Sequence, residues 1–310
     1  MDLTKRTNDA IHANGDHFVN GATSDIAITN HGSDWYFAVC AVMFVSTLAF
    51  AGLSFTVPRS HRIFHYITAS ITMVAAIAYF TMGADLGETG IAPEFIRTSP
   101  KVSGHLREIF YVRYIDWVVT TPLLLMDLLL TAGLPWPTIL YTLLIDEIMI
   151  ITGLIGALVA SSYKWGYFTF GCLAFLWVAW TVVFTARKHA AAIGPDVLKT
   201  YQICGVWTIF LWFLYPIAWG LSEGGNVIAP DSEAVFYGIL DIMAKPVFGA
   251  LLIWGHRGIE PARLGLHIRD YDDPMPGGLE RKTERDVSGH NGVHNGVDGG
   301  NTATTTGAAV

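Results

Sequence analysis

Asp241 and Lys245 stand four residues apart in the last long apolar stretch of the chain, residues 234–254. That spacing puts both side chains on one face of a helix. An ammonium in the middle of a membrane span costs about 3 kcal/mol or more, so such a residue is a functional hypothesis by default. The pair reads as a buried amine with its counter-charge. A second group lies between Arg113 and Asp127. Asp116 and Asp127 are eleven positions apart, close to three helical turns, so they face the same way and sit roughly 16 Å apart along the axis. Thr120, four residues past Asp116, and Arg113, three before it, share that stripe. Two carboxylates at different depths on one internal face suit a proton relay, because the surroundings of each set its proton affinity separately. Asp116, with Arg113 close, is expected to be ionised; Asp127, among leucines, is expected to hold its proton. The plainer alternative is two structural acids satisfied by neighbouring helices.

These groups need apolar elements to hold them. Of 310 residues, 52% are hydrophobic and 15% charged, against about 25% charged in ordinary soluble domains. The charges cluster between apolar runs of about 20 residues, each long enough to cross a bilayer as a helix. Seven such spans are expected, at 35–57, 64–82, 109–130, 136–160, 165–185, 198–221 and 234–254. The chain therefore reads as an all-α integral membrane protein, a seven-helix bundle in a lipid bilayer. No internal repeat suggests a transporter built of two halves. The net charge of −7 lies mostly in tails and loops, and no clustered basic face supports nucleic-acid binding.

Arg59, Arg62, Arg187, Lys188, Lys199, Arg257, Arg263 and Arg269 fall on one side of this bundle. By the positive-inside rule that side is cytoplasmic, with the N-terminus out and the C-terminus in. The expected organisation is a polar extracellular segment at 1–34, the helical domain at 35–258 and a cytoplasmic, largely disordered tail at 259–310, rich in Gly, Asn and Thr from about Pro274. The first 34 residues lack the apolar core of a cleavable signal, so the first span is expected to direct insertion. Gly, Pro and short apolar pieces between the second and third spans predict a small hairpin over the outer face. Cys40, Cys172 and Cys204 lie inside apolar runs without a CxxC neighbour and read as packing residues.

Arg113-Tyr114-x-Asp116-Trp117 followed by Thr120-Thr121-Pro122-Leu123-Leu124-Leu125-x-Asp127 resembles the third helix of the microbial (type 1) rhodopsins. Leu240-Asp241-x-x-Ala244-Lys245 resembles their seventh, Trp212-x-x-Tyr215-Pro216 with Trp219 their sixth, and Asp146-x-x-Met149 with Gly153 their fourth. Within the family, the stretches from Leu221 to Ile228 and from Ala244 to Ala250 most resemble fungal opsins of the carotenoid-associated and auxiliary groups. The resemblance implies all-trans-retinal joined to Lys245 as a protonated Schiff base, in a light-driven outward proton pump rather than a chemical-turnover enzyme. It implies Asp116 as counterion and proton acceptor, Asp241 as second carboxylate and Asp127 as internal donor. Glu223 and Glu233 would form a release pair, with Arg113 gating between them and Asp116. Trp117, Thr121, Leu124, Met149, Gly153, Trp212, Tyr215, Pro216 and Trp219 would wall the chromophore, with Asp146 near its ring end. A photosensor with a slow photocycle and a signalling partner is the alternative, and Asp127 discriminates, since an efficient pump needs an internal donor. The plasma membrane is the expected location.

Elementary chemistry agrees with this chemistry at Lys245. An amine in an apolar pocket is nucleophilic toward an aldehyde. The cation that forms needs a counterion, and Asp116 with Asp241 exceeds its charge by one, so Arg113 is expected to restore neutrality. Trp136, Trp165 and Trp254 read as interface residues. Three residues depart from the family pattern. Phe168 stands where a tryptophan is common and should loosen the pocket. Glu147, about 100° around the helix from Asp146, is expected to face another helix or a partner protomer in a homo-oligomer. Pro246 should clash with the Ile242 carbonyl and kink the helix beside the lysine.

Overall fold

The computed structural model describes residues 8, 10–14, 24–93 and 102–268. Seven helices among them are long and apolar enough to cross a membrane: α1 (Asn30–Ser54), α2 (Ile63–Gly83), α3 (Tyr111–Thr131), α4 (Trp136–Leu158), α5 (Lys164–Ile193), α6 (Pro195–Gly224) and α7 (Pro230–Gly255). Each lies within a few residues of an expected span except α5, which continues to Ile193 through Arg187-Lys188-His189. Hydropathy marks where a helix leaves the apolar layer, not where its hydrogen bonds stop. Pro195 and Pro230 open α6 and α7 at first-turn positions, where the missing amide hydrogen costs nothing.

Between α2 and α3 the expected hairpin is present. β1 (Thr89–Ile91) pairs antiparallel with β2 (Arg107–Ile109). Ile26 lies parallel beside Arg107, so the segment before α1 forms a third edge of this cap. At the other end, the first ten residues of the expected tail, 259–268, are structured. They carry a single helical turn, Pro261–Leu264, which buries Leu264. The disorder expected from about Pro274 falls outside the described residues.

Three π-turns interrupt the last helices: Thr181–Ala186 in α5, Gly220–Gly224 in α6 and Met243–Val247 in α7. In each, a main-chain carbonyl accepts a hydrogen bond from a side chain of a neighbouring helix. Tyr201 Oη reaches Val182 O at 2.5 Å, Lys164 Nζ reaches Glu223 O at 2.6 Å, and Trp207 Nε1 reaches Met243 O at 2.9 Å. A bilayer interior supplies no water to such groups, so irregular backbone persists there only where the protein satisfies it. The third π-turn contains Pro246. The strain expected at this proline is taken up by a local widening of the helix.

Candidate functional site

Lys245 is carried on the π-turn of α7 and is buried. Its Nζ donates to Asp116 Oδ2 on α3 and, at 3.2 Å, to Asp241 Oδ2 one turn earlier on α7. Asp241 also accepts from Tyr215 Oη of α6 at 2.5 Å and from Tyr79 Oη of α2 at 2.9 Å. Four helices thus converge on one amine and two carboxyls. Asp116 Oδ1 has no hydrogen-bond partner among the described residues. Thr120 donates to the Asp116 main-chain oxygen at 2.9 Å, which braces the helix beside that carboxyl.

An apolar cavity runs from Lys245 between α3, α4, α5 and α6. Trp117, Thr121, Leu124, Met149, Gly153, Trp212, Tyr215, Pro216 and Trp219 all line it. Asp146 does not; it is fully buried behind Thr121, whose Oγ1 donates to its Oδ2 at 2.7 Å. Cys172, read from sequence as a packing residue, is on the cavity wall. Trp165, read as an interface residue, packs edge-on to Trp219, with ring centroids 5.7 Å apart. Phe168 lies flat on Trp219 at 4.8 Å, so this part of the wall is filled by stacking. Trp136 and Trp254 are exposed, as interface residues should be. Glu147 is half-buried.

Toward the N-terminal end of the bundle, Glu223 and Glu233 are buried rather than solvated. Arg113 Nη1 donates to Glu233 Oε1 at 2.6 Å and Glu223 Oε1 at 3.1 Å, while Nη2 donates to Tyr36 Oη at 2.9 Å. Its guanidinium lies over the Tyr237 ring at 4.2 Å, and its Nε has no partner. Arg113 therefore belongs to the glutamates, and the expected four-group set around Lys245 is corrected. The Lys245 and glutamate clusters are separate, and a second cation completes the glutamate cluster. Arg107 of β2 donates to Glu233 Oε2 at 2.7 Å, to Asn226 Oδ1 at 2.6 Å and to Ile228 O at 2.8 Å. Arg107 carried no sign of this role in the sequence. Its place in a three-residue strand next to Glu108 gives no local signal of its distant partners.

Toward the other end, Asp127 is fully buried in α3 among leucines. Its Oδ2 accepts from Thr68 Oγ1 of α2 at 3.2 Å, and its Oδ1 is unpartnered. From Arg113 to Asp127, one helix spans the glutamate cluster, the lysine site and this isolated acid.

The Bacteriorhodopsin-like protein family model matches residues 31–258. The Opsin-like protein carO of Fusarium fujikuroi is 61% identical over 309 residues, covering 99% of this chain and 97% of the relative. The chain is a fungal type 1 rhodopsin of the bacteriorhodopsin-like family. Among solved structures, a light-driven proton pump rhodopsin of Coccomyxa subellipsoidea superposes with a TM-score of 0.69 at 41% identity, covering 73% of this chain and 97% of that one. A light-driven proton pump from Leptosphaeria maculans gives 0.70 at 35% identity, covering 75% and 98%. Family membership implies a retinal chromophore, and this rhodopsin's residues fit one. A long apolar slot, walled by aromatic rings, ends at an amine whose counter-charges are already in place.

Proposed function

We propose that this rhodopsin is a light-driven outward proton pump of the plasma membrane, N-terminus outside, with retinal carried on Lys245 as a protonated Schiff base. One observation carries the reading: a buried amine bonded to two carboxyls, with a third carboxyl three turns along the helix that supplies the first. Bound retinal supplies the light-driven change of shape that alters the proton affinity and direction of the lysine nitrogen. The chain's residues do the rest. Asp116, in contact with that nitrogen, takes the departing proton. Asp241, pinned by Tyr79 and Tyr215, is the second carboxyl beside the nitrogen and fixes the direction in which it points. Arg113, one helical turn before Asp116 and bonded to Glu223 and Glu233, gates between the two clusters, and the glutamates release a proton at the outer face. Asp127 refills the nitrogen from the inner side. Moving one proton against about 100 mV costs about 2.3 kcal/mol, which light can meet many times over.

Cells supplied with all-trans-retinal should acidify their medium on illumination, and an uncoupler should abolish the change. A slow photocycle with no pH change would instead assign the chain to light sensing. Lys245→Ala should remove the visible band after retinal is added; a band that survives would refute the attachment. Asp127→Asn should slow reprotonation of the lysine nitrogen, with azide restoring the rate. An unchanged rate would remove Asp127 from the pathway.

A further inference from the structure

His256, just past the end of α7, is half-buried. Its ring packs on Phe64 with centroids 4.0 Å apart. Nδ1 lies 2.8 Å from the Leu252 carbonyl oxygen, which only accepts, so Nδ1 carries the hydrogen and the neutral ring leaves Nε2 bare. Nε2 lies 3.1 Å from Thr131 Oγ1. That hydroxyl is also 2.7 Å from the main-chain oxygen of Asp127. Thr131 thus has one hydrogen and two acceptors within reach. When the ring is neutral, the hydroxyl turns to Nε2. When Nε2 gains a proton it becomes the donor, and the hydroxyl turns to Asp127 O. Every group is satisfied in both states, so the hydrogen bonding accommodates a proton arriving at Nε2 with only a hydroxyl rotation.

We propose that His256, acting with Thr131, is the port through which a proton enters from the cytoplasmic face to refill Asp127. The inference rests on the reading of Asp127 as internal donor. Thr131 is one helical turn from Asp127, about 6 Å along the axis, a gap that one bridging water spans. The surroundings favour passing a proton on over storing it. Burial first, with a smaller contribution from His65 of α2, holds the His256 imidazole down at about 4. His65 is itself buried beside Arg62, with its Nδ1 unpartnered. From α6, Thr200 engages only the Gly255 carbonyl, at 3.0 Å. A proton on Nε2 therefore moves to the Asp127 carboxylate once that group has emptied, and the ring returns to neutral.

His256→Phe keeps a ring against Phe64 and removes both nitrogens. In flash photolysis with a pH-indicating dye, the wild type and this variant should transfer a proton from Asp127 to the lysine nitrogen at the same rate. Uptake from the medium should slow about tenfold in the variant, and imidazole in the buffer should restore it. Unchanged uptake, or slow uptake that imidazole does not rescue, would overturn the port and leave His256 a packing residue. Asp127→Asn reads the earlier transfer in the same instrument, so failure of the donor reading shows as a different phase and takes the port with it. In the chain without retinal, nitrogen NMR at pH 7 should show a protonated Nδ1 and a bare Nε2 on His256. The opposite tautomer would also overturn the proposal.

Discussion

Arg107→Gln tests the glutamate cluster most directly. The guanidinium is 2% exposed and makes three hydrogen bonds, to Glu233 at 2.7 Å, Asn226 at 2.6 Å and the Ile228 carbonyl at 2.8 Å. Glutamine is too short to reach all three. Glu233 would then keep Arg113 on Oε1 but lose its partner on Oε2. Breaking a buried ion pair by removing one member costs about 3–5 kcal/mol, because the remaining charge stays buried. For a protein of this size that lowers the thermal midpoint by on the order of 10 °C. Circular dichroism in detergent would measure it. Arg263→Gln is the internal control: Arg263 also bonds a carboxylate twice, through Asp196 at 2.6 and 2.9 Å, but that pair is exposed to water, and its loss should leave the midpoint unchanged. Arg107→Gln combined with Glu233→Gln should cost less than the two single changes added together, since the double variant leaves no buried unpaired charge. The reasoning is refuted if Arg107→Gln shifts the midpoint no more than the Arg263 control.

Two further predictions concern the ends of the bundle. Burial, and then a hydrogen bond with Asp85, raise the Glu108 carboxyl to about 10, and its Oε2 also receives the Ile28 amide at 2.7 Å. The folded protein therefore holds a proton there that the unfolded chain releases near pH 4.5, so this site's contribution is full below that pH and is lost as pH rises toward 10. Amide exchange at Ile26 and Ile28 should accelerate with alkaline pH beyond its intrinsic rise, and Glu108→Gln should remove the excess; an identical pH profile in the variant would defeat the argument. Gly249→Ala would bring a Cβ to 2.2 Å from Thr68 Cγ2. It should cost about 1–3 kcal/mol by overpacking and push Thr68 off Asp127, shifting the infrared carboxyl band of Asp127. An unmoved band would show that Thr68 does not hold it.

The seven helices were legible because each is a long apolar run, and the α3 stripe because helical periodicity fixes which residues share a face. Asp241 and Lys245 were legible for the same local reason. Tertiary pairing was not. Arg107 finds Glu233 across 126 positions, and Lys164 finds the Glu223 carbonyl across 59. Nothing in the neighbourhood of either cation announces this. Arg113 was assigned to Asp116 because the two are adjacent on one helix, yet its long side chain extends to glutamates that only the folded bundle brings near. Trp165 has the composition and position of an interface residue; only the packing of α5 against α6 places it behind Trp219. Pro246 was correctly read as a disturbance, but whether a proline kinks a helix or widens it depends on its neighbours.

The side-chain caps on the three π-turns set a rule for anyone recombining this protein with a relative. Tyr201, Lys164 and Trp207 each serve a carbonyl on a helix other than their own. A crossover placed in the loop between α5 and α6, or between α6 and α7, looks harmless in an alignment, since it cuts no helix. If the incoming segment lacks the matching donor, it leaves a bare carbonyl inside the bilayer. The three helices are therefore best exchanged as one cassette, and a library that respects that unit should yield more folded chimeras than one cut at every loop.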